Sequence, residues 1–223
     1  MKNFYPKKYQ KNRKLRINHS YLVEQFSDYS KIFKEIEKIV KRGDYTLGQK
    51  VNEFEKNFAK RTGAKFVIGV GNGTDALYLS LKVLNIDKGD EVITVPYTFI
   101  STVGSIVTAG AKPVFVDIKE DYNINEKKIK SAITKKTKAI MPVHLSGIPA
   151  NLKALKKICK KHKLILLEDA AHAFGIKYYN QYLGTIGKVG VFSLHPRKSF
   201  HVFGDGGLIV TNDTKLYKKI MLM

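Results

Sequence analysis

Residues 65–95 read KFVIGVGNGTDALYLSLKVLNIDKGDEVITV. A β-branched run, FVIGV, passes through a glycine-rich turn into the amphipathic stretch TDALYLSLKVL, and a second β-branched run, EVITV, follows. Strands made almost wholly of Val and Ile are those covered on both faces, and a parallel neighbour is reached only through a long crossover, usually a helix. One such unit predicts a parallel sheet if the rest of the chain repeats it.

It does. Downstream come a small-residue helix around STVGSIVTAG, then PVFVDI, EKKIKSAI, AIMPV, LKALKKICKKH, LILLED, VGVFSL and GLIVT. Strands alternating with helices predict an α/β doubly wound domain, a three-layer α/β/α arrangement around a mostly parallel sheet. FGIKYYNQYLGTIGK interrupts the alternation with a hairpin-like stretch, and TKLYKKIMLM reads as a helix without a closing cap, so a chain continuing beyond Met223 is expected.

Upstream, YSKIFKEIEKIVKRG carries Ile32, Ile36, Ile39 and Val40 at three- and four-residue steps and stops at Gly43. A second helix follows in KVNEFEKNFAKRTG, with Val51, Phe54 and Phe58 on one face and Gly63 as its stop. The expected organisation is an N-terminal helical segment, residues 1–60, packed on a large domain formed by residues 61–223.

At 223 residues and 43% apolar content the chain can bury a substantial core. No run approaches the roughly 18 apolar residues of a membrane span, and the charged opening MKNFYPKKYQKNRKLR is followed by no apolar stretch, so no membrane partner is expected and the cytoplasm is the expected compartment. The single Cys159 excludes a disulfide scaffold and reads as a buried or half-buried helix residue. A formal net charge of +21 invites a nucleic-acid reading, but the lysines are spread over every helix and loop and no nucleic-acid module is recognisable, so no nucleic-acid partner is expected.

Open α/β sheets bind ligands outside the carboxyl ends of their strands, and three such ends stand out. In GVGNGTDAL, Thr74 and Asp75 open a helix whose free N–H groups suit a phosphate, with Gly71 and Gly73 allowing close approach. It fails as a dinucleotide fingerprint because its third glycine falls one residue short, and an ordinary strand-to-helix turn explains it as well. LILLEDAAHAFG delivers Glu168 and Asp169 at a strand exit, with a helix cap by Asp169 as the plain alternative. VGVFSLHPRKSF ends its strand at Ser193 and reaches Lys198 in a segment that Pro196 keeps from regular helix, and the glycines at 204, 206 and 207 then permit a tight turn back. A phosphate turn, an aspartate and a lysine in one sheet are the parts of a pyridoxal phosphate site: backbone amides and Ser193 for the phosphate, the aspartate for the pyridine nitrogen, the lysine for the Schiff base.

With these stretches in view, the sequence from about Leu47 to Met223 resembles the sugar-nucleotide aminotransferase family, the DegT and StrS group, of the aspartate-aminotransferase-like fold. The resemblance rests on YTLGQKVNEFEKNFA, NGTDALYLSL, GDEVITVPYTFISTV, GAKPVFVDI, TKAIMPVHLSG, LEDAAHAFG, FSLHPRK and GDGGLIVTND in family order. It implies a Schiff base on Lys198, a pyridine-nitrogen partner in Asp169, and a contact from His172 to the cofactor's phenolic oxygen. It further implies phosphate held by Gly73, Thr74 and Ser193, and a ring stacked on Phe99, with Tyr97 the alternative; His144 is a candidate wall residue.

The reaction so implied moves an amino group from an amino acid, glutamate in the family's usual case, to a keto sugar on a nucleoside diphosphate, with Lys198 as acid and base. A related branch that dehydrates sugars places His where the lysine belongs; here that position is Lys198, and His195 lies three residues earlier. The family adds a smaller C-terminal domain, largely absent from these residues, and builds its site between two subunits, so a homodimer is implied and a PLP-binding or regulatory relative without turnover is the alternative. Asp169, His172, His144 and His195 have no recognisable metal-ligand spacing, and no metal is expected.

Overall fold

The computed structural model describes residues 21–223; residues 1–20 of the expected N-terminal segment lie outside the described residues. All seven strand runs become strands of one sheet: β1 (Phe66–Val70), β2 (Glu91–Thr94), β3 (Lys112–Phe115), β4 (Thr137–Ile140), β5 (Ile165–Asp169), β8 (Val189–Ser193) and β9 (Gly207–Thr211). Between them β6 (Lys177–Tyr178) and β7 (Gln181–Tyr182) form the separate hairpin that the interruption suggested. The sheet order is β3-β2-β4-β5-β8-β9-β1. Only β9 runs against its neighbours, pairing antiparallel with both β8 and β1.

The helices are α1 (Leu22–Gln25), α2 (Tyr29–Arg42), α3 (Gln49–Thr62), α4 (Gly73–Val83), α5 (Ile100–Thr108), α6 (Ile129–Ala132), α7 (Leu152–His162) and α8 (Thr214–Ile220). Successive strand residues point to opposite faces, and each face has its own core. Val67, Ile93, Ile140, Leu166 and Phe192 join Phe58 of α3 and Leu155 of α7 on one side. Their sequence neighbours Ile68, Val92, Ala139, Leu167 and Val191 join Leu77 of α4, Ile106 of α5 and Leu216 of α8 on the other. Two buried faces are why the strands read as continuous apolar runs.

Local chemistry sets the helix ends. Gly43 and Gly63 close α2 and α3 in the left-handed conformation, φ 69° and 71°, which a residue without Cβ adopts without strain. α4 opens one residue earlier than the sequence reading placed it, because Asn72 caps it by accepting from the Asp75 N–H at 2.8 Å. The helix expected over EKKIKSAI shrinks to the single turn of α6: Asn125 takes the Lys127 and Lys128 N–H groups into its own turn, and Ile133 is already extended. No residue of α2 is buried; Phe33 on it and Phe26 before it meet Phe203 edge-on at 6.0 and 5.3 Å.

Candidate active site

The carboxyl ends of β1, β2, β4, β5 and β8 open on one side of the sheet, and a cavity of about 630 Å³ lies there, within the size range of small-molecule sites. Lys198, Asp169, His172 and Ser193 line it, as do Gly73, Thr74 and Phe99, so one cavity brings together every residue singled out for the cofactor. Tyr97 is not among its wall residues; it is half exposed beside Tyr122, ring centroids 5.4 Å apart. His144 is not a wall residue either, being fully buried on the far side of the strand end.

At the β1 exit the cap of α4 uses Asn72 twice: Oδ1 accepts from Asp75 N–H, and Nδ2 donates to Asp75 Oδ2 at 2.9 Å. The Ala76 N–H returns to Asn72 O, leaving the N–H groups of Gly73 and Thr74, two residues that line the cavity, outside the helix's own ladder. No side chain fits at Gly73, where a Cβ would lie 2.8 Å from Ser193 Cβ, nor at Gly207, where it would lie 2.2 Å from Asn72 O. Gly207 therefore serves close approach of β9 to the cap turn; of the three glycines given to the turn, Gly204 alone has positive φ, 121°.

At the β5 exit the two carboxylates separate by strand alternation. Asp169 sits on the α5 side, 3% exposed, with Oδ2 accepting from Thr102 Oγ1 at 2.8 Å and Oδ1 from Ala171 N–H at 3.2 Å. No helix begins there, so the capping alternative falls; the carboxylate is held in a turn at the cavity wall. Glu168 points to the opposite face and is fully buried. Its Oε1 accepts from Ile186 and Gly187 N–H, and its Oε2 from Gly184 N–H and His144 Nε2. Burial would raise the Glu168 pKa, but the bonds from His144 and the two glycine amides win and hold it below its usual value.

At the β8 exit Lys198 N–H closes a turn onto His195 O at 2.8 Å. Two residues later Phe200 anchors the loop, its ring stacked on Phe174 at 4.1 Å and set beside Phe54 and Phe58. Burial pulls the Lys198 ammonium below its usual pKa, opposed by the Asp169 charge. His172 is also lowered, by burial first and then by the Lys198 charge. An amine of lowered basicity, beside a buried carboxylate and an imidazole that is also harder to protonate, suits a nucleophile that forms an imine with a carbonyl.

The residues fit pyridoxal phosphate on these observations: a cradle that a Cβ at Gly73 would close, free amides at a helix N-terminus, a carboxylate with unused lone pairs, and an amine of lowered basicity. Sequence reading missed Asn72 and Thr102, and gave Glu168 no role beyond the strand exit it shares with Asp169. An Asx residue three before an acidic one was the available signal for Asn72; nothing local pointed to Thr102, which meets Asp169 only through the sheet. Among the described residues no cluster of His, Cys, Asp and Glu able to hold a metal ion is found, and no helix is long and apolar enough to cross a membrane.

A family model described as the DegT/DnrJ/EryC1/StrS aminotransferase family matches residues 27–223. The chain is 42% identical over 200 residues to a pleiotropic regulatory protein of Geobacillus stearothermophilus, covering 89% of this chain and 54% of that one. It is 39% identical over 195 residues to dTDP-3-amino-3,4,6-trideoxy-alpha-D-glucose transaminase of Micromonospora megalomicea subsp. nigra, covering 87% and 52%. The crystal structure of S. venezuelae DesV in complex with a ketimine intermediate superposes with a TM-score of 0.87 at 36% identity, covering 91% of this chain and 55% of that one. The chain thus spans about half the length of the curated relatives it matches.

Proposed function

The chain belongs to the DegT/DnrJ/EryC1/StrS aminotransferase family, and on that footing we propose that it carries the pyridoxal phosphate-binding part of an aminotransferase acting in amino-sugar or polysaccharide biosynthesis. The amino group would come from an amino acid, glutamate in this reading, and go to a keto sugar on a nucleoside diphosphate, leaving 2-oxoglutarate and an amino sugar. The observation that carries the reading is the meeting of Lys198, Asp169 and the Gly73–Thr74 amides around one cavity. We read the protein as a cytoplasmic homodimer with a site shared between subunits, and the described residues 21–60 of the N-terminal segment as helices on the domain of residues 61–223.

When bound, pyridoxal phosphate supplies an electron-accepting ring that allows a proton to leave the α-carbon of the amino donor. Lys198 would hold it through Nζ and, once released by the amino donor, would be the base and acid at the donor's α-carbon, with burial lowering its basicity. Asp169 would face the ring nitrogen, oriented by Thr102 Oγ1 and Ala171 N–H. Gly73 and Thr74 amides with Ser193 would take the phosphate, His172 the phenolic oxygen and Phe99 a ring face. A lysine, not a histidine, at position 198 favours amino transfer over sugar dehydration.

A PLP-binding regulatory relative without turnover is the second reading, supported by the 42% identity to a pleiotropic regulatory protein. Glutamate and a panel of keto-sugar nucleotides, with PLP supplied, separate the two. Release of 2-oxoglutarate, absent in Lys198→Ala, supports the transaminase; PLP binding with no release on any sugar supports the regulatory reading.

A further inference from the structure

The 144–150 loop ends β4's extension and lies outside the roles assigned so far. Its backbone follows β5 closely: Asp169 N–H donates to Pro142 O and His144 N–H to Asp169 O, both at 3.0 Å. The His144 ring is then clamped at both nitrogens. Nδ1 accepts from the Ala150 N–H at 3.1 Å, so the ring's proton sits on Nε2, which donates to Glu168 Oε2 at 3.1 Å. One buried imidazole thereby closes the loop on itself and ties it to β5.

Between the two fixed ends, Ser146 adopts a left-handed conformation, φ 53° and ψ 22°, which a residue with a Cβ enters only at a cost in free energy. Ser146 is exposed, so burial does not account for that cost. What the conformation achieves is to aim the Ser146 N–H at His172 Nδ1, 3.3 Å away across 26 residues of sequence. Gly147, at φ 81°, brings the turn against the His172 carbonyl, where even a Cβ would come within 3.4 Å.

We propose that the Glu168–His144 pair is a positioning device: it holds the 144–150 loop so that the Ser146 amide fixes the His172 ring and its Nε2–H tautomer, leaving Nε2–H as the donor that His172 offers to the cavity. Glu168, His144 and Ser146 touch nothing in the cavity and act only through His172. The ligand of that donor rests on the proposed PLP reading, whereas the tautomer and the Ser146 bond are properties of the protein alone.

The test uses cofactor-free, 15N-labelled protein and two readouts, the 1H–15N pattern of the histidine rings and the exchange rate of the Ser146 amide. His172 is expected with its proton on Nε2 and a bare Nδ1, and the Ser146 amide protected, although exposed. His172→Ala should bring Ser146 exchange up to the rate of an unstructured loop. His144→Leu should do the same and leave His172 a mixture of tautomers, while His144→Asn, whose carbonyl can still accept from Ala150 but whose side chain is too short to reach Glu168, should lose part of the Ser146 protection and fall between wild type and His144→Leu. A proton on His172 Nδ1, an unprotected Ser146 in the wild type, or a folded His144→Leu with both readouts unchanged overturns the proposal. If His144→Leu does not fold, the wild-type spectrum and His172→Ala still decide the Ser146–His172 bond, and His144→Asn takes its place for the pair: both readouts unchanged in that variant overturn the proposal. Adding PLP to the same sample separates the claims: a lysine-bound PLP band with the wrong tautomer refutes the device alone, and the predicted tautomer without a band refutes the cofactor reading alone.

Discussion

Replacing Glu168 by Gln takes one acceptor oxygen from a fully buried position that four donors address. Oε1 receives Ile186 and Gly187, and Oε2 receives Gly184 and His144. Whichever way the amide turns, its NH2 group meets two donors. His144 cannot relieve this by moving its proton to Nδ1, because Ala150 N–H occupies that nitrogen. Each buried donor left without an acceptor costs about 1–3 kcal/mol, so the variant should lose about 2–6 kcal/mol. That is a large part of the roughly 5–15 kcal/mol that holds a typical domain folded. Urea unfolding followed by circular dichroism reads the loss as a lower midpoint at unchanged slope. The acid limb gives a second check. Glu168 titrates below its usual 4.5 in the folded protein, so its contribution is complete above that pH and is lost as pH falls through the folded value. The gap between wild type and variant should therefore narrow on acidification below pH 4.5. A folded Glu168→Gln within about 0.5 kcal/mol of wild type at neutral pH, the range of an ordinary surface change, refutes the reasoning.

Further expectations follow from the site. Gly73→Ala forces a Cβ to 2.8 Å from Ser193 Cβ; the strain of about 1–3 kcal/mol falls on the cradle, so PLP affinity should drop roughly 5- to 150-fold in an absorbance titration. Thr102→Val removes the hydroxyl that donates to Asp169 Oδ2 and should cost about 1–3 kcal/mol in thermal unfolding, with Thr102→Ser close to wild type. Cys159 is buried and its thiol is pushed up to about 12 by burial, so a thiol reagent at pH 8 should leave folded protein unlabelled and react fully once urea unfolds it; rapid labelling of the native state contradicts that burial.

The sheet was legible because its strands are apolar on both faces, a signal that needs no knowledge of partners. Period-two alternation also held the distinction between Glu168 and Asp169, since adjacent strand residues cannot share a face. Which of the two would face the cavity does not follow from alternation, which leaves it to where α5 and the 184–187 loop lie; the family resemblance alone pointed to Asp169, and the cavity wall carries it. Thr102 and Ser146 were invisible for the same reason: each acts on a residue brought near only by the sheet, Asp169 and His172. His144, a candidate wall residue from the resemblance, is instead a core histidine held by two buried hydrogen bonds. α6 shows the converse limit, where helical spacing in EKKIKSAI is overridden by turn chemistry at Asn125 and by the burial of Ile129 alone.

The central claim is that Lys198, among the many lysines of a chain with 40 Lys and Arg residues, is the one that holds pyridoxal phosphate. Incubation of the folded protein with PLP, reduction with borohydride and peptide mass mapping reads this directly. The account predicts a pyridoxyl group on the peptide carrying Lys198, formed at substoichiometric PLP and abolished by Lys198→Ala. Labelling scattered over surface lysines with Lys198 unmodified contradicts it.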